Sequence, residues 1–340
     1  MPIHFEYRAY RAAFRHALAT AHGVWSEREG ILVRLDDNSG HSALGEIAPL
    51  PEWGSETLGE ALAFCAALPS SLDEAAIRGV PNALPCCRFA LETAWESLHR
   101  PAAPSPVRQL AIAALLPAGP AAIEAAARAT AHGHAAMKWK VGVGDAAAEL
   151  DILQRLLAAL PSGASLRIDA NGAWDLPTAR KWLSFCEGRA VEFIEQPFPV
   201  GHEQPILQLA NEFSTPIALD ESVARHDDLR RWLDFGWPGI YVVKPALAGS
   251  PQRLLKLFSD YEVEAVFSSA FETAIGVRAA LGVAARAAGS GRALGFGTIG
   301  CFADERLNLP NPGPTISTKW LARLAPGPLW EIFSNAPHTA

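Results

Sequence analysis

Along residues 138–268 one apolar run after another ends in a polar side chain, and the interval between those ends is nearly constant. Asp169, Glu195, Asp220, Lys244 and Ser268 follow one another at separations of 26, 25, 24 and 24 residues. Such an interval fits one compact strand–helix unit, so these side chains recur at a single level around a ring. In a parallel α/β barrel that level is the C-terminal mouth, where active sites sit. Isolated Asp residues at strand ends are usually helix N-caps, but a cap series favours Ser, Thr and Asp rather than Glu and Lys. Strands are expected at 109–115, 136–141, 165–168, 191–194, 216–219, 239–243, 264–267 and 293–296, with helical periodicity between them. Seven or eight such units imply a parallel barrel, with a doubly wound sheet as the alternative.

The first hundred residues read differently, as α+β. A strand at 30–35, a turn at 36–40 and a returning strand at 42–47 precede helical segments at 57–68, 72–78 and 87–98. Three prolines within 100–106 mark the boundary. The expected division is a capping domain over 1–105, a barrel over 106–310, and a tail over 311–340 that completes the cap. Hydrophobic residues at 49% and charged residues at 19% exclude disorder. A net charge of -7 gives no electrostatic footprint for nucleic acid or an anionic membrane. The five cysteines show no paired spacing, as expected of reduced, buried thiols. Met1–Glu6 has no signal-peptide pattern and no apolar run is long enough to span a bilayer, so a cytoplasmic setting is expected. The expected partner is a small-molecule carboxylate, with the oligomeric state left open.

Asp169, Glu195 and Asp220 offer three hard oxygen donors without a thiolate or imidazole, a set suited to Mg²⁺ or Mn²⁺. Lys140 lies on one side of them and Lys244 on the other, while strand alternation turns Lys138 to the same face as Lys140. Lysine is scarce here: six of the 29 basic residues, the rest being Arg. Lysine, unlike Arg, can be deprotonated when desolvated. Lowering its pKa from about 10.4 to about 7–8 requires about 4 kcal/mol, within reach of burial, a neighbouring ammonium and a cation acting together. The set suits proton abstraction beside a carboxylate. His132-Gly133-His134 imitates a metal-binding pair, but it precedes its strand and so falls at the opposite end of the barrel.

With these motifs in hand, the sequence resembles the enolase superfamily. The matching elements are Lys138-Trp139-Lys140, Arg167-Ile168-Asp169-Ala170-Asn171 with Trp174, Glu195-Gln196-Pro197, Leu219-Asp220-Glu221-Ser222 and Val243-Lys244-Pro245. The resemblance implies a modified (β/α)7β barrel under an α+β cap formed by both chain ends. Within the superfamily it is strongest to the o-succinylbenzoate synthase family, through 45–51, 267–273 with Gly276, and 294–298. The Asp-x-Asp of dipeptide epimerases is not found after the last strand, where Gly295-Phe296-Gly297-Thr298 stands instead. The resemblance assigns the metal to Asp169, Glu195 and Asp220, the base to Lys140, charge stabilisation to Lys244, and the holding of Lys140 to Lys138. Ser268, Ser269, Gly295 and Trp25 are expected at the substrate, Trp25 on a flexible lid before the first strand. Arg167, Asn171 and Glu221 are expected to support the site. N-acylamino acid racemisation by the same lysines, and a non-catalytic ligand-binding barrel, stay open as alternatives.

Overall fold

In the computed structural model, described for residues 3–20, 23–99, 107–287, 291–310, 313–324 and 327–333, the chain opens on a long hairpin. Strands β1 (Ile3–Thr20) and β2 (Gly23–Asp36) pair antiparallel, with a register shift between Ala13 and Leu18. β3 (Ser42–Ile47) adds to β2 and β4 (Ser71–Leu72) to β1, giving the order β3-β2-β1-β4. Helices Leu58–Ala67, Glu74–Arg78 and Pro85–His99 accompany this sheet. The hairpin corrects the expectation that the first strand begins at residue 30 and that Trp25 precedes it. Val24–Ser26 belongs to β2 instead. In β1, Ile3 and Phe5, and then Tyr10, Ala12 and Phe14, are buried at every second position, a strand alternation whose phase changes between Phe5 and Tyr10. The signal is weak because Ala and Arg are frequent in the strand and β-branched residues are confined to its ends, Ile3 and Thr20. The proposed boundary at 100–106 lies outside the described residues.

The second sheet is parallel and follows chain order: β6 (Ala114–Leu116), β7 (Ala136–Lys140), β8 (Ser165–Asp169), β9 (Val191–Glu195), β10 (Ile217–Leu219), β11 (Ile240–Val243) and β12 (Ala265–Phe267). The expected strand at 109–115 is divided. Its first part, β5 (Gln109–Ala111), pairs antiparallel with β13 (Thr315–Ser317), and its last part becomes β6. Between them Ile112 makes a parallel bridge to Leu294, while Ser268 makes one to Gly295. These two bridges close the ring, so the eighth position is held by a short passage instead of a regular strand. Glycine is required there: a Cβ on Gly295 would lie 2.7 Å from Ser268 Oγ, and one on Gly297 2.8 Å from the Ala113 carbonyl. The protein is thus a (β/α)7β barrel under an α+β cap.

One buried carboxylate locks the cap to the barrel. Glu46, on β3, accepts from Tyr10 Oη at 2.6 Å, from the amides of Thr273 and Gly276 at 2.9 Å each, and from Thr273 Oγ1. It therefore satisfies the N-terminus of barrel helix Ala274–Arg286, an end with free amides and positive dipole. Arg28 reinforces the join by donating to the carbonyls of Pro49 and Ala270. At the far end of the chain, Trp330 lies under the Arg8 guanidinium at 4.1 Å and accepts from it through its carbonyl. Glu46→Ala should lower unfolding stability by about 3 kcal/mol, because it strands several buried donors at once. Urea denaturation checks this, and a loss under about 1 kcal/mol would refute the lock.

Candidate active site

The period-2 alternation of each strand builds the site in two layers. On the inward face, Phe193, Ala218, Ile240, Val242 and Val266 form a small apolar cluster separate from the main core. One pleat further on, the same faces carry Glu195, Asp220, Lys244 and Ser268. β7 and β8 contribute Lys140 and Asp169, aligned in register with each other, and Asp169 is aligned in turn with Glu195. The row around the mouth runs Lys140, Asp169, Glu195, Asp220, Lys244. An apolar floor under ionised groups keeps water from below and strengthens every interaction above it.

Asp169, Glu195, Asp220 and Lys244 are all buried. Lys138 Nζ lies 2.9 Å from Asp169 Oδ2 and donates to Glu195 Oε1 at 2.6 Å. Lys244 Nζ donates to Asp220 Oδ1. Burial disfavours the Lys138 ammonium, but Asp169 and Glu195 outweigh it and raise its pKa. Lys244 is likewise raised, by Asp220 and Glu221 against burial. Lys140 goes the other way: burial pulls its pKa below the usual lysine range, opposed by Asp169 and assisted by the Lys138 charge. It closes no ion pair among the described residues. Lys138 thus acts on Lys140 through its charge, while its ammonium is held by two carboxylates.

The carboxylates show what the row lacks. Burial and the neighbouring Asp169 push Glu195 well above the ordinary carboxyl value. Asp220 is lowered, because Lys244 and Lys138 overcome its burial. Among the described residues no three His, Cys, Asp or Glu side chains close into a metal-sized cage. The ammonium groups of Lys138 and Lys244 hold the oxygens instead. Three buried carboxyl groups on adjacent strands form a purely oxygen donor set, and a hard divalent cation fits both that donor chemistry and the charge the groups carry when ionised. Asn171 Oδ1 is buried beside them without a partner among the described residues.

Supporting side chains come from the turns after the strands. Asn171 takes φ 42°, donates its amide to Asp169 Oδ1 at 3.1 Å and its Nδ2 to Glu221 Oε1 at 3.0 Å. Gln196, at φ 39°, ties two strand ends: its Oε1 accepts from the amides of Asp220 and Ser222, and its Nε2 donates to Ser222 Oγ and the Phe198 carbonyl. Gln196 was visible only as the middle of Glu195-Gln196-Pro197, with no role attached. Arg167 is buried but turned elsewhere, held by both oxygens of Glu192 and stacked 5.0 Å from the Phe193 ring. Ser268 spends its hydroxyl on the Gly295 carbonyl and Ser269 meets Thr298, so both are engaged in closing the barrel.

The cap contributes a residue the sequence did not single out. Trp53, in the short helix Pro51–Trp53, places its ring 5.3 Å from Lys244 Nζ. Trp25 packs edge-on against Trp53 and Phe271, at 5.7 and 5.9 Å. Trp25 reaches the mouth through this aromatic stack. The only available signal was Pro51-Glu52-Trp53 following a strand in a Pro-rich segment.

Comparison with known proteins agrees with this geometry. The enolase C-terminal domain-like family matches residues 121–307, and the family described as MenC, N-terminal domain matches residues 7–98. The chain belongs to the enolase superfamily. The o-succinylbenzoate synthase of Thermosynechococcus vestitus is 45% identical over 278 residues, 80% of this chain and 86% of that protein. That of Thermobifida fusca is 30% identical over 277 residues, 80% of this chain and 75% of the relative. Within the superfamily the chain groups with the o-succinylbenzoate synthases. The crystal structure of the Thermosynechococcus elongatus synthase, with Mg in its active site, superposes at TM-score 0.81 with 40% identity, covering 97% of this chain and 99% of that one. The L-Ala-D/L-Glu epimerase of Bacillus subtilis shares the fold at TM-score 0.77 and 21% identity, covering 93% and 96%.

Proposed function

We propose that this chain is an Mg²⁺-dependent o-succinylbenzoate synthase. It removes water from 2-succinyl-6-hydroxy-2,4-cyclohexadiene-1-carboxylate by syn elimination, a step of menaquinone or phylloquinone synthesis. The observation that carries the reading is the inequality of the lysines: Lys140 is depressed and closes no ion pair among the described residues, whereas Lys244 is ion-paired to Asp220. One base at one end of the row and one fixed charge at the other suit a reaction in which a single group moves the proton both ways.

Lys140, as the neutral amine, takes the proton α to the substrate carboxylate and becomes an ammonium. The electrons left behind spread into the carboxylate as an enediolate, whose charge faces the Lys244 ammonium across the row. Lys140 then returns its proton to the departing hydroxyl on the same face of the ring, and water leaves with the C–O electron pair. Asp169, Glu195 and Asp220 are the residues that would hold Mg²⁺, which supplies charge to offset the developing dianion. Lys138 keeps Asp169 and Glu195 in place and biases Lys140 toward the amine. Trp25, Ser268, Ser269 and Gly295 are proposed to face the succinyl part of the substrate, and Arg167, Asn171 and Glu221 to support the site. The reading includes a cap over 1–105 completed by 311–340, a barrel over 106–310, a cytoplasmic setting and no nucleic-acid partner. The acidic net charge of -7 supports the last point, and among the described residues no helix is long and apolar enough to cross a membrane.

The test is turnover of the cyclohexadiene carboxylate beside N-succinyl amino acids of both hands, with Mg²⁺. Dehydration far exceeding racemisation is expected; rapid racemisation and α-proton exchange with negligible dehydration would assign the racemase instead. The depressed Lys140 also fixes a pH dependence. Because the amine is the active form, kcat/KM should fall as pH drops through the Lys140 pKa, on a limb below the lysine reference of about 10.4. A pH–rate profile with that limb at or above the reference value would remove Lys140 as the base.

A further inference from the structure

A second polar site lies away from the row of strand ends, in a shallow cleft open to solvent at the seam between cap and barrel. Asn82 and Arg88 line it from the cap side; Arg225, His226, Asp227 and Arg253 line it from the barrel side. Three arginines therefore line one cleft in a protein whose net charge is -7, one of them, Arg88, paired 3.3 Å from the buried Glu92. Asp227 is the one carboxylate in the lining. It lies 3.6 Å from Arg253 and 3.1 Å from His226 Nδ1, with its own side chain largely in water.

The donors of this cleft exceed the acceptors it offers them. Arg225 gives a single long bond, 3.3 Å, to the Asn82 carbonyl. Arg253 reaches Asn82 Oδ1 at 2.8 Å and His226 Nδ1 at 3.2 Å. Arg88 donates from one nitrogen to the Arg78 carbonyl and to Glu92, yet its buried Nε has no hydrogen-bond partner among the described residues. The ten-residue helix His226–Phe235 begins at the same place; no side chain caps its first amides, although Asp227 and Asp228 lie in its first turn. An end of that kind favours an anion through its free N–H groups and its dipole. Two oxygens, as in a carboxylate, fall short of three guanidinium forks and a helix end. A tetrahedral oxyanion, with three or four oxygens, matches them.

We propose that this cleft binds a phosphate-type oxyanion, as the free ion or as the terminal group of a phosphomonoester, which ties the cap to the barrel by engaging arginines of both. The site is independent of the catalytic reading and would stand if that reading failed.

Titration of the Mg²⁺-loaded protein at constant ionic strength tests it, using calorimetry and thermal melting. The ligands are inorganic phosphate, glucose 6-phosphate and, as control, chloride. Saturable one-to-one binding and a melting temperature that rises with phosphate but not with chloride are expected. Arg225→Gln/Arg253→Gln should weaken binding by about tenfold or more while turnover at saturating substrate is unchanged, since charge-assisted pairs are lost. If that double variant fails to fold, Arg253→Lys keeps the charge without the fork and should still weaken binding several-fold. Tighter binding of the ester than of the free ion identifies an organic phosphate as the ligand; the reverse order identifies the ion. Phosphate binding that these variants leave intact, a rise equal to that with chloride, or no binding by either phosphate would overturn the proposal.

Discussion

Lys140→Ala should lose about four orders of magnitude in turnover, to the limit of detection, while its circular dichroism and melting are retained. One group carries both proton transfers, so its removal forfeits general base and general acid together, each worth about 10²–10⁴-fold. Stability should survive because Lys140 closes no ion pair among the described residues, and burial already disfavours its charge. Lys244→Arg is the informative contrast. Arg stays protonated at neutral pH, so it keeps the charge opposite the enediolate and loses any capacity to exchange protons. A guanidinium at that position could stack on the Trp53 ring, which stands 5.3 Å from Lys244 Nζ, and still reach Asp220. A dehydratase should therefore retain a trace of turnover in Lys244→Arg. A racemase should lose both directions, since each enantiomer needs one lysine as donor and the other as acceptor. Measurable dehydration by Lys140→Ala, with Lys244→Arg inactive, would reverse the roles assigned to the two lysines.

How far such roles could be read before the structure depended on whether the pattern was local. The barrel was legible because each βα unit repeats a period-2 apolar run and then a polar end, and six of the seven parallel strands, β7 to β12, fall close to the expected ranges. The eighth position was less so, because Leu294 and Gly295 hold it by two bridges, and Gly295 and Gly297, required by close approach of Ser268 and of the Ala113 carbonyl, carry no strand signal. The hairpin of β1 and β2 escaped because an Ala- and Arg-rich strand resembles a helix in composition and is fixed by pairing with β2. Trp53 escaped for a different reason: its importance comes from tertiary placement, a cap residue laid over a barrel lysine 191 positions later. Arg167 shows how tertiary packing sets the partners of a residue that a motif can place. The motif placed it beside Asp169, but alternation points it one layer lower, where Glu192, which it shares with Arg292, absorbs its charge and neighbouring strands decide its partners.

Removing Mg²⁺ with excess chelator should abolish turnover, and Glu195→Gln should separate the metal's role from that of the fold. In the absence of the cation the three carboxylates repel one another, and Glu195 bears most of that strain, raised by burial and by Asp169. A neutral amide of the same shape relieves the repulsion and can still accept from Lys138 Nζ, which now sits 2.6 Å from Oε1. The metal-free variant should therefore melt no lower than the metal-free wild type. Mg²⁺ affinity should nevertheless fall at least about 100-fold, the upper end of what losing even an outer partner of a metal site costs. Linkage makes this visible without an activity assay: a cation at 100 times its Kd stabilises the fold by about 2.7 kcal/mol, and at its Kd by only about 0.4. Wild-type protein should thus gain several degrees of Tm on adding Mg²⁺, and Glu195→Gln close to none at the same concentration. An equal gain in both proteins would place the cation elsewhere, and full turnover in chelator would remove it from the reaction. A melting rise confined to the wild type, with loss of turnover in the variant, would place Mg²⁺ at Asp169, Glu195 and Asp220.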